Sequence, residues 1–350
     1  MTYRTILSHQ TESFLKYCKY QKRLSDATLK AYRFDLQDFL FFLDAKNLTS
    51  DFLDQVDRHL LSDYVNNLGE RHFSTKTVKR RMACLRAFFH YLEYEEILPQ
   101  TPFAKFRMEL KDHPVPPPTM SLTEVNQILR TIYNEMPPLF SQHLPEFLTG
   151  QRTVHAGSRE FLWLRNAAIL EILFASGLRV GELCNLTFDD LDPAQHALRI
   201  HGKGGKIRTV YLCNNDVLHI FDQYLKVRLR CKSDVPYAFI SKFRTQLSTQ
   251  GVRNMIRRYT SDAGIPRHIT PHMFRHSFAS LLLEEGVDIK YIQEFLGHSS
   301  ISTTQIYLHT TADTKKSILR NFHPREHLSA TSSISIDNVK LSVKTGKPII

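Results

Sequence analysis

Apolar residues recur every three or four positions along most of this chain, and in one stretch they alternate instead. Leu29, Tyr32, Leu36, Phe39, Leu40 and Leu43 follow Ser25 and Asp26 at helical spacing, which predicts an amphipathic helix with a polar start that must pack against partners. From about Glu12 to Leu98 the pattern reads as four helices with short joints. One covers about Leu53 to Leu68; the last opens at Ser74 or Thr75 and turns Val78, Met82, Leu85, Phe89 and Leu92 inward. Ser121 and Glu124 form a capping-box pattern ahead of a helix to about Tyr133. Residues Asn134 to Ser158 hold three prolines and no sustained period, so a long loop or insertion is expected there. A core helix follows from about Glu160 to Ala175, then a turn at Ser176 and Gly177 into a short helix carrying Arg179 and Glu182.

Strand-like alternation is clearest from Ala197 to Leu212, where two runs flank a glycine-containing turn; a hairpin is predicted, with Lys203 and Lys206 at its tip. The turn lacks the G-x-x-x-x-G-K-[ST] spacing and following helix of a nucleotide-binding P-loop. Thr270 and Pro271 then start a helix, the hydroxyl as cap and the proline at the first position, with Phe274, Phe278, Leu281 and Leu282 facing the core. At about 100° per residue, His272 and Arg275 lie about 60° apart on it, at the edge of its apolar face. Asp288 caps the next helix, with Ile289, Ile292 and Leu296 inward, and Gly297 ends it and holds His298 just beyond. Ser302 and Gln305 form a second capping box, opening a helix that carries Tyr307.

The proline-rich stretch from Lys111 to Pro118 divides this plan. The expected organisation is a helical N-terminal domain over residues 1–112, a linker over 113–118, a mixed α/β domain over 119–325 and a polar tail over 326–350. The fold class is therefore mainly α with a small β-sheet. Forty-six Lys and Arg against thirty-five Asp and Glu, with a sequence pI near 9.4, favour a polyanionic partner, for which nucleic acid and an anionic membrane surface both qualify. Lys76, Lys79, Arg80, Arg81 and Arg86 on the fourth helix are candidate phosphate contacts, and two basic lobes on a semi-rigid tether could close around a duplex. Without an apolar run of membrane-spanning length or a signal-like N-terminus, the expected location is cytoplasmic. Cys18, Cys84, Cys184, Cys213 and Cys231 are odd in number, scattered and free of C-x-x-C pairs, which reads as buried thiols and not a disulfide or zinc framework.

Taken together, Arg179 within Gly-Leu-Arg-Val-Gly-Glu-Leu, Lys203, His272-x-x-Arg275, Leu296-Gly297-His298 and Tyr307 resemble, in order and spacing, the tyrosine recombinases of the lambda-integrase family, most nearly the Xer-like branch. Ser25, Thr28, Tyr32, Asp35, Leu36 and Phe39 look like that family's N-terminal, SAM-like core-binding domain, and Phe322-His323-Pro324-Arg325 like the close of its catalytic domain. The resemblance implies a site-specific recombinase that breaks DNA with Tyr307, forming a 3′-phosphotyrosyl link and releasing a 5′-hydroxyl, so that bond energy is kept for rejoining and neither ATP, metal nor other cofactor is needed. Arg179 and Arg275 would neutralise charge on the non-bridging oxygens. By the same resemblance Lys203 is the general acid at the 5′-oxygen, His272 assists proton transfer at Tyr307, His298 donates to a phosphate oxygen, and Glu182 supports the pocket. Partners would be double-stranded DNA and further recombinase subunits, as a homotetramer or a tetramer mixed with a second recombinase, with a C-terminal segment docking between neighbours. The 134–158 insertion departs from the compact Xer pattern and leaves dimer resolution and mobile-element integration or excision both open.

Three other readings stand beside this one. A DNA-binding regulator of the same fold would not need the six residues intact. A metal-dependent hydrolase could use His272 and His276 as an i,i+4 pair, but the glutamate of H-E-x-x-H and a third ligand are missing. A type IB topoisomerase would share the chemistry and relax DNA without exchanging strands.

Overall fold

A computed structural model describes residues 3–46, 55–110, 117–137, 140–149, 151–152, 154–202, 205–231, 233–297 and 312–328. The chain divides into two compact units, Met1–Val115 and Pro116–Ile350.

In the first unit the described helices are α1 (Tyr3–Tyr20), α2 (Asp26–Asp44), α3 (Arg58–Glu70) and α4 (Thr75–Tyr94), followed by a 3₁₀ turn at Pro102–Lys105. Local chemistry sets their starts. Ser25 accepts the Thr28 amide, Ser74 accepts that of Thr77, and Asp57 accepts those of His59 and Leu60. That aspartate cap makes the third helix begin at Arg58 and not at Leu53, and Leu53 itself lies outside the described residues. The core between the helices is aromatic: Phe14, Phe39, Tyr64, Phe88 and Phe89 are buried in mutual contact, and Phe103 extends the cluster from the 3₁₀ turn. Asp35, which the periodicity of α2 leaves unexplained, is buried among them and ion-paired with Arg80 and Arg81; Asp38 pairs with Arg81 and Arg71 and accepts the Tyr64 hydroxyl at 2.8 Å. Arg81 also lies over the Phe73 ring, 4.2 Å from its centroid. The basic cluster of α4 therefore splits. Arg80 and Arg81 hold buried carboxylates, which would be costly unpaired, whereas Lys76 and Arg86 point outward, Arg86 stacked on Phe103.

The second unit is built on α7. Its described helices are α5 (Leu122–Asn134), α6 (Phe140–Thr149), α7 (Arg159–Ser176), α8 (Val180–Asn185), α9 (Asn215–Arg230), α10 (Thr249–Asp262), α11 (Pro271–Glu284), α12 (Ile289–Leu296) and α13 (Ala312–Phe322). A small antiparallel sheet of order β1 (Leu191–Asp192), β2 (Ala197–His201) and β3 (Ile207–Tyr211) sits between α8 and α9 in the chain. α7 is buried almost throughout and packs against α5, α9 and α11, so the run of apolar residues without a polar face is explained by neighbours on several sides. Trp163 on α7 donates to the Ile132 carbonyl at 2.7 Å, satisfying the one polar atom of a buried indole. A second cluster, Phe278, Leu282, Val287, Ile292, Phe295, Leu296 and Leu319, joins α11, α12 and α13. The architecture is mainly helical with a small sheet, as the periodicities predict.

Several expectations need correction. The 134–158 segment is not a structureless loop: Phe140, Leu144 and Phe147 recur at helical spacing and are buried along α6, which tolerates Pro145 in its interior. Ile289 is 54 % exposed and not inward, because it begins α12 beyond the edge of the small cluster; Phe295 takes the inward place beside Ile292 and Leu296. Thr270 precedes α11 with Pro271 at the first position, but its hydroxyl does not cap; the Thr270 carbonyl accepts Met273 N–H at 2.9 Å instead. The predicted hairpin gains a third strand, β1 pairing Leu191 with Leu198 and Asp192 with Ala197. Cys18, Cys84, Cys184 and Cys231 are buried free thiols and Cys213 is half-buried. Among the described residues no helix is long and apolar enough to cross a membrane.

Candidate active site

Two glycine-terminated helices meet in the second unit. α7 ends at Gly177 and α12 at Gly297, both in the left-handed region, at φ 59° and 65°. A β-carbon at Gly177 would fall 2.8 Å from Phe278 Cδ1 and 2.9 Å from Leu296 Cδ2, so the close approach itself requires glycine. Between these ends α11 inserts Arg275, which is 5 % exposed and donates Nη1 to the Gly177 carbonyl at 2.8 Å and Nη2 to the Leu296 carbonyl at 2.6 Å. Carbonyls at helix C-termini lack partners and carry partial negative charge, and a guanidinium supplies donors in a fixed fork. Burial, the Arg179 and Arg208 charges lower Arg275 to about 10 against the opposing pull of Glu182, so it stays cationic at neutral pH.

Arg179 stands immediately before α8, in extended backbone two residues past Gly177. Glu182, one turn on, accepts the Arg179 backbone N–H at 2.9 Å and its Nη1 at 2.8 Å. The other partner of Glu182 comes from β3: Arg208 donates Nη1 to Oε1 at 2.9 Å and Nη2 to Oε2 at 2.7 Å, and its Nε to the Phe295 carbonyl at 3.1 Å. Burial raises the Glu182 carboxyl, but Arg208 and the Arg179 amide outweigh it and hold the group at about 2. Arg179 and Arg208 thus bond one carboxylate whose charge Arg275 also feels, leaving two positive charges in excess. Such a preorganised cluster, with Arg179 open to solvent and the groups behind it buried, favours an anion whose charge is spread over several oxygens, as in a phosphodiester under attack.

The structure brings Arg179, Glu182 and Arg275 together. His272 is exposed on the first turn of α11, one turn before the buried Arg275. Burial and the neighbouring His272 and Arg275 charges lower the half-buried His276. Lys203, His298 and Tyr307, with the Ser302–Gln305 capping box, lie outside the described residues. Gly202 N–H donates to the Lys206 carbonyl at 2.7 Å, closing the end of the β2–β3 hairpin. Arg208 is the residue that sequence reasoning missed, although a signal was present. Alternation puts it on the same face of β3 as buried Val210, while apolar Ile207 is 59 % exposed; a charge where an apolar residue belongs asks for a buried partner.

Comparison with known proteins extends this geometry. The Phage integrase family matches residues 151–314, and the Phage integrase, N-terminal SAM-like domain matches residues 11–96. A tyrosine recombinase of Agathobacter rectalis is 38 % identical over 320 residues, covering 91 % of this chain and 98 % of that protein. Tyrosine recombinase XerD of Oceanobacillus iheyensis is 31 % identical over 326 residues, covering 91 % and 100 %. Among solved structures, XerH recombinase bound to its difH substrate matches with TM-score 0.61 at 22 % identity, over 93 % of this chain and 84 % of that one, a likeness of fold. Neither the regulator nor the metal-hydrolase reading is favoured by these relatives. With both family domains matched and relatives aligned along nearly its full length, this chain belongs to the phage integrase family, as a Xer-like tyrosine recombinase acting in site-specific DNA recombination.

Proposed function

We propose that this recombinase cleaves DNA with Tyr307 as nucleophile at a phosphate held by Arg179 and Arg275. The phenol oxygen attacks phosphorus, the P–O5′ bond breaks, and Lys203 supplies the proton that the departing 5′-oxygen needs. His272 assists proton transfer at Tyr307, His298 donates to a non-bridging oxygen, and Glu182 keeps Arg179 in place. The observation that carries this reading is that Arg179 is held by the Glu182 carboxylate and Arg275 by the carbonyls at two helix ends, leaving a cluster of net positive charge. Guanidiniums already anchored need little reorganisation as charge develops on the phosphate, which is where electrostatic catalysis gains most.

The unit at residues 1–112 serves as the core-binding domain, with Lys76, Lys79 and Arg86 toward phosphates and Arg80 and Arg81 shared between phosphate and the carboxylates they hold, residues 113–118 as the linker, 119–325 as the catalytic domain and 326–350 as the tail. The working assembly is a tetramer on two duplexes, of this chain or of this chain with a second recombinase. Related folds support it: one is a lambda integrase tetramer bound to a Holliday junction, at TM-score 0.60 and 17 % identity. Cytoplasmic location follows from a chromosomal or mobile-element substrate.

Nicked duplexes of randomised core sequence test the chemistry, because the protein selects its own site by covalent capture. An adduct that survives denaturation and EDTA and is lost in Tyr307→Phe is expected. No adduct, or one that Tyr307→Phe still forms, overturns the mechanism, and supercoil relaxation without strand exchange moves the protein to the topoisomerases.

A further inference from the structure

We propose that Arg208 is a positioning residue for DNA cleavage: by holding Glu182 and the Phe295 carbonyl together, it sets Arg179, the hairpin and the end of α12 in one register. The inference rests on the cleavage mechanism above. All three nitrogens of the Arg208 guanidinium are committed, two to the Glu182 carboxylate and one to Phe295 at the C-terminus of α12. Its side chain is 13 % exposed and that of Glu182 7 %. Its action is therefore placed on the groups it bonds, Glu182 and the Phe295 carbonyl.

Each partner leads to a different part of the site. Glu182 carries Arg179 through both its backbone and its side chain. Phe295 is next to Leu296, whose carbonyl Arg275 holds, so two arginines from separate elements grip consecutive carbonyls just before α12 ends at Gly297. A β-carbon at Gly297 would stand 2.7 Å from Arg208 Cδ, so this glycine also makes room for the strut. Arg208 itself lies opposite Ile200 in the hairpin, whose end the Gly202–Lys206 bond closes. A lysine at 208 keeps the charge but has no planar fork to bridge a carboxylate and a carbonyl.

Single-turnover cleavage by the full chain, on nicked duplexes selected by the wild-type protein, tests this. Arg208→Gln should slow cleavage at saturating DNA by roughly tenfold or more while the half-saturating DNA concentration moves by less than about threefold. It should also lose activity at acid pH more steeply than the wild type does. Among the charged groups facing Glu182, namely Arg179, Arg208 and Arg275, the variant loses the one that most offsets burial, so the carboxyl rises and its charge is lost as pH falls through the new value. Glu182→Gln combined with Arg208→Gln should be slower than Glu182→Gln alone by no more than about twofold. Arg208→Lys, which decides the matter by the same two rates if the glutamine variant does not fold, should recover only part of the wild-type rate. Wild-type cleavage in Arg208→Gln and Arg208→Lys, multiplying losses in the double variant, or a loss confined to DNA affinity overturns the role of Arg208 while leaving Tyr307 chemistry intact. Failure of the wild type to form an adduct overturns both.

Discussion

At Arg325 the guanidinium is 1 % exposed and donates twice to Glu171, at 2.8 and 2.9 Å, while the Tyr133 hydroxyl donates to the same carboxylate at 2.7 Å. Beside it His323 is buried between Phe174 and Phe278 and has both ring nitrogens engaged: one bonds the Ala175 carbonyl at 2.9 Å and the other accepts the Arg325 amide at 2.9 Å. An imidazole that must accept at one nitrogen is neutral. Burial pushes His323 down from 6.5 to about 4, the Ala175 carbonyl only partly opposing it. Above pH 6.5 the folded and unfolded chains are both neutral at this group and it adds no pH dependence. Below that value the unfolded chain takes up the proton first, so stability falls with falling pH, by up to about 1.4 kcal/mol per unit until about pH 4. Urea unfolding at pH 7 and pH 5 should therefore show the wild type losing roughly 1–2 kcal/mol more than His323→Gln. Parallel losses in the two proteins would mean that His323 is protonated in the fold.

Secondary-structure elements carry the site because their ends are where it forms. Gly177 lies at the C-terminus of the most buried helix and Gly297 at that of α12, and Arg275 spans the two. Gly177→Ala combines a left-handed backbone that costs an L-residue about 1–2 kcal/mol with contacts to Phe278 and Leu296 that are too short to keep, for a total loss of roughly 2–4 kcal/mol. Gly264 provides the control: its φ is 71° but a β-carbon there meets nothing within 4 Å, so Gly264→Ala should lose only the conformational part, about 1 kcal/mol. Chemical denaturation of both variants measures this, and equal losses would show that packing at Gly177 relaxes freely. Helix starts such as Ser25, Ser74 and Ser121 were legible in sequence because a cap and its amide lie within three residues. α6 was hidden by the opposite circumstance: Pro137, Pro138 and Pro145 dominate a short segment whose Phe140, Leu144 and Phe147 are meaningful only against Trp163, 5.1 Å from Phe140 between ring centroids.

On the scale of the whole molecule, each unit has its own core: the aromatic core belongs to the first, and the cores around α7 and α12 to the second. The fragment 116–350 should therefore unfold cooperatively on its own and bind DNA with a shallower salt dependence than the full chain, since it brings fewer lysines and arginines to phosphates. Calorimetry and binding titrations at several salt concentrations decide it; a fragment without a cooperative transition, or with an unchanged salt slope, contradicts independent folding or DNA contact by the first unit. Sequence by itself determined the helical class, the hairpin and the glycine-ended helices, because periodicity, caps and turns act over a few residues. It also showed Arg179, His272 and Arg275 as candidates through their order along the chain. Tertiary structure alone decided that Asp35 is buried against Arg80 and Arg81, and that Arg208 reaches Glu182, 26 residues away, and Phe295, 87 residues away. No local pattern encodes a partner at that distance; the charge becomes tolerable in the core only once folding delivers it.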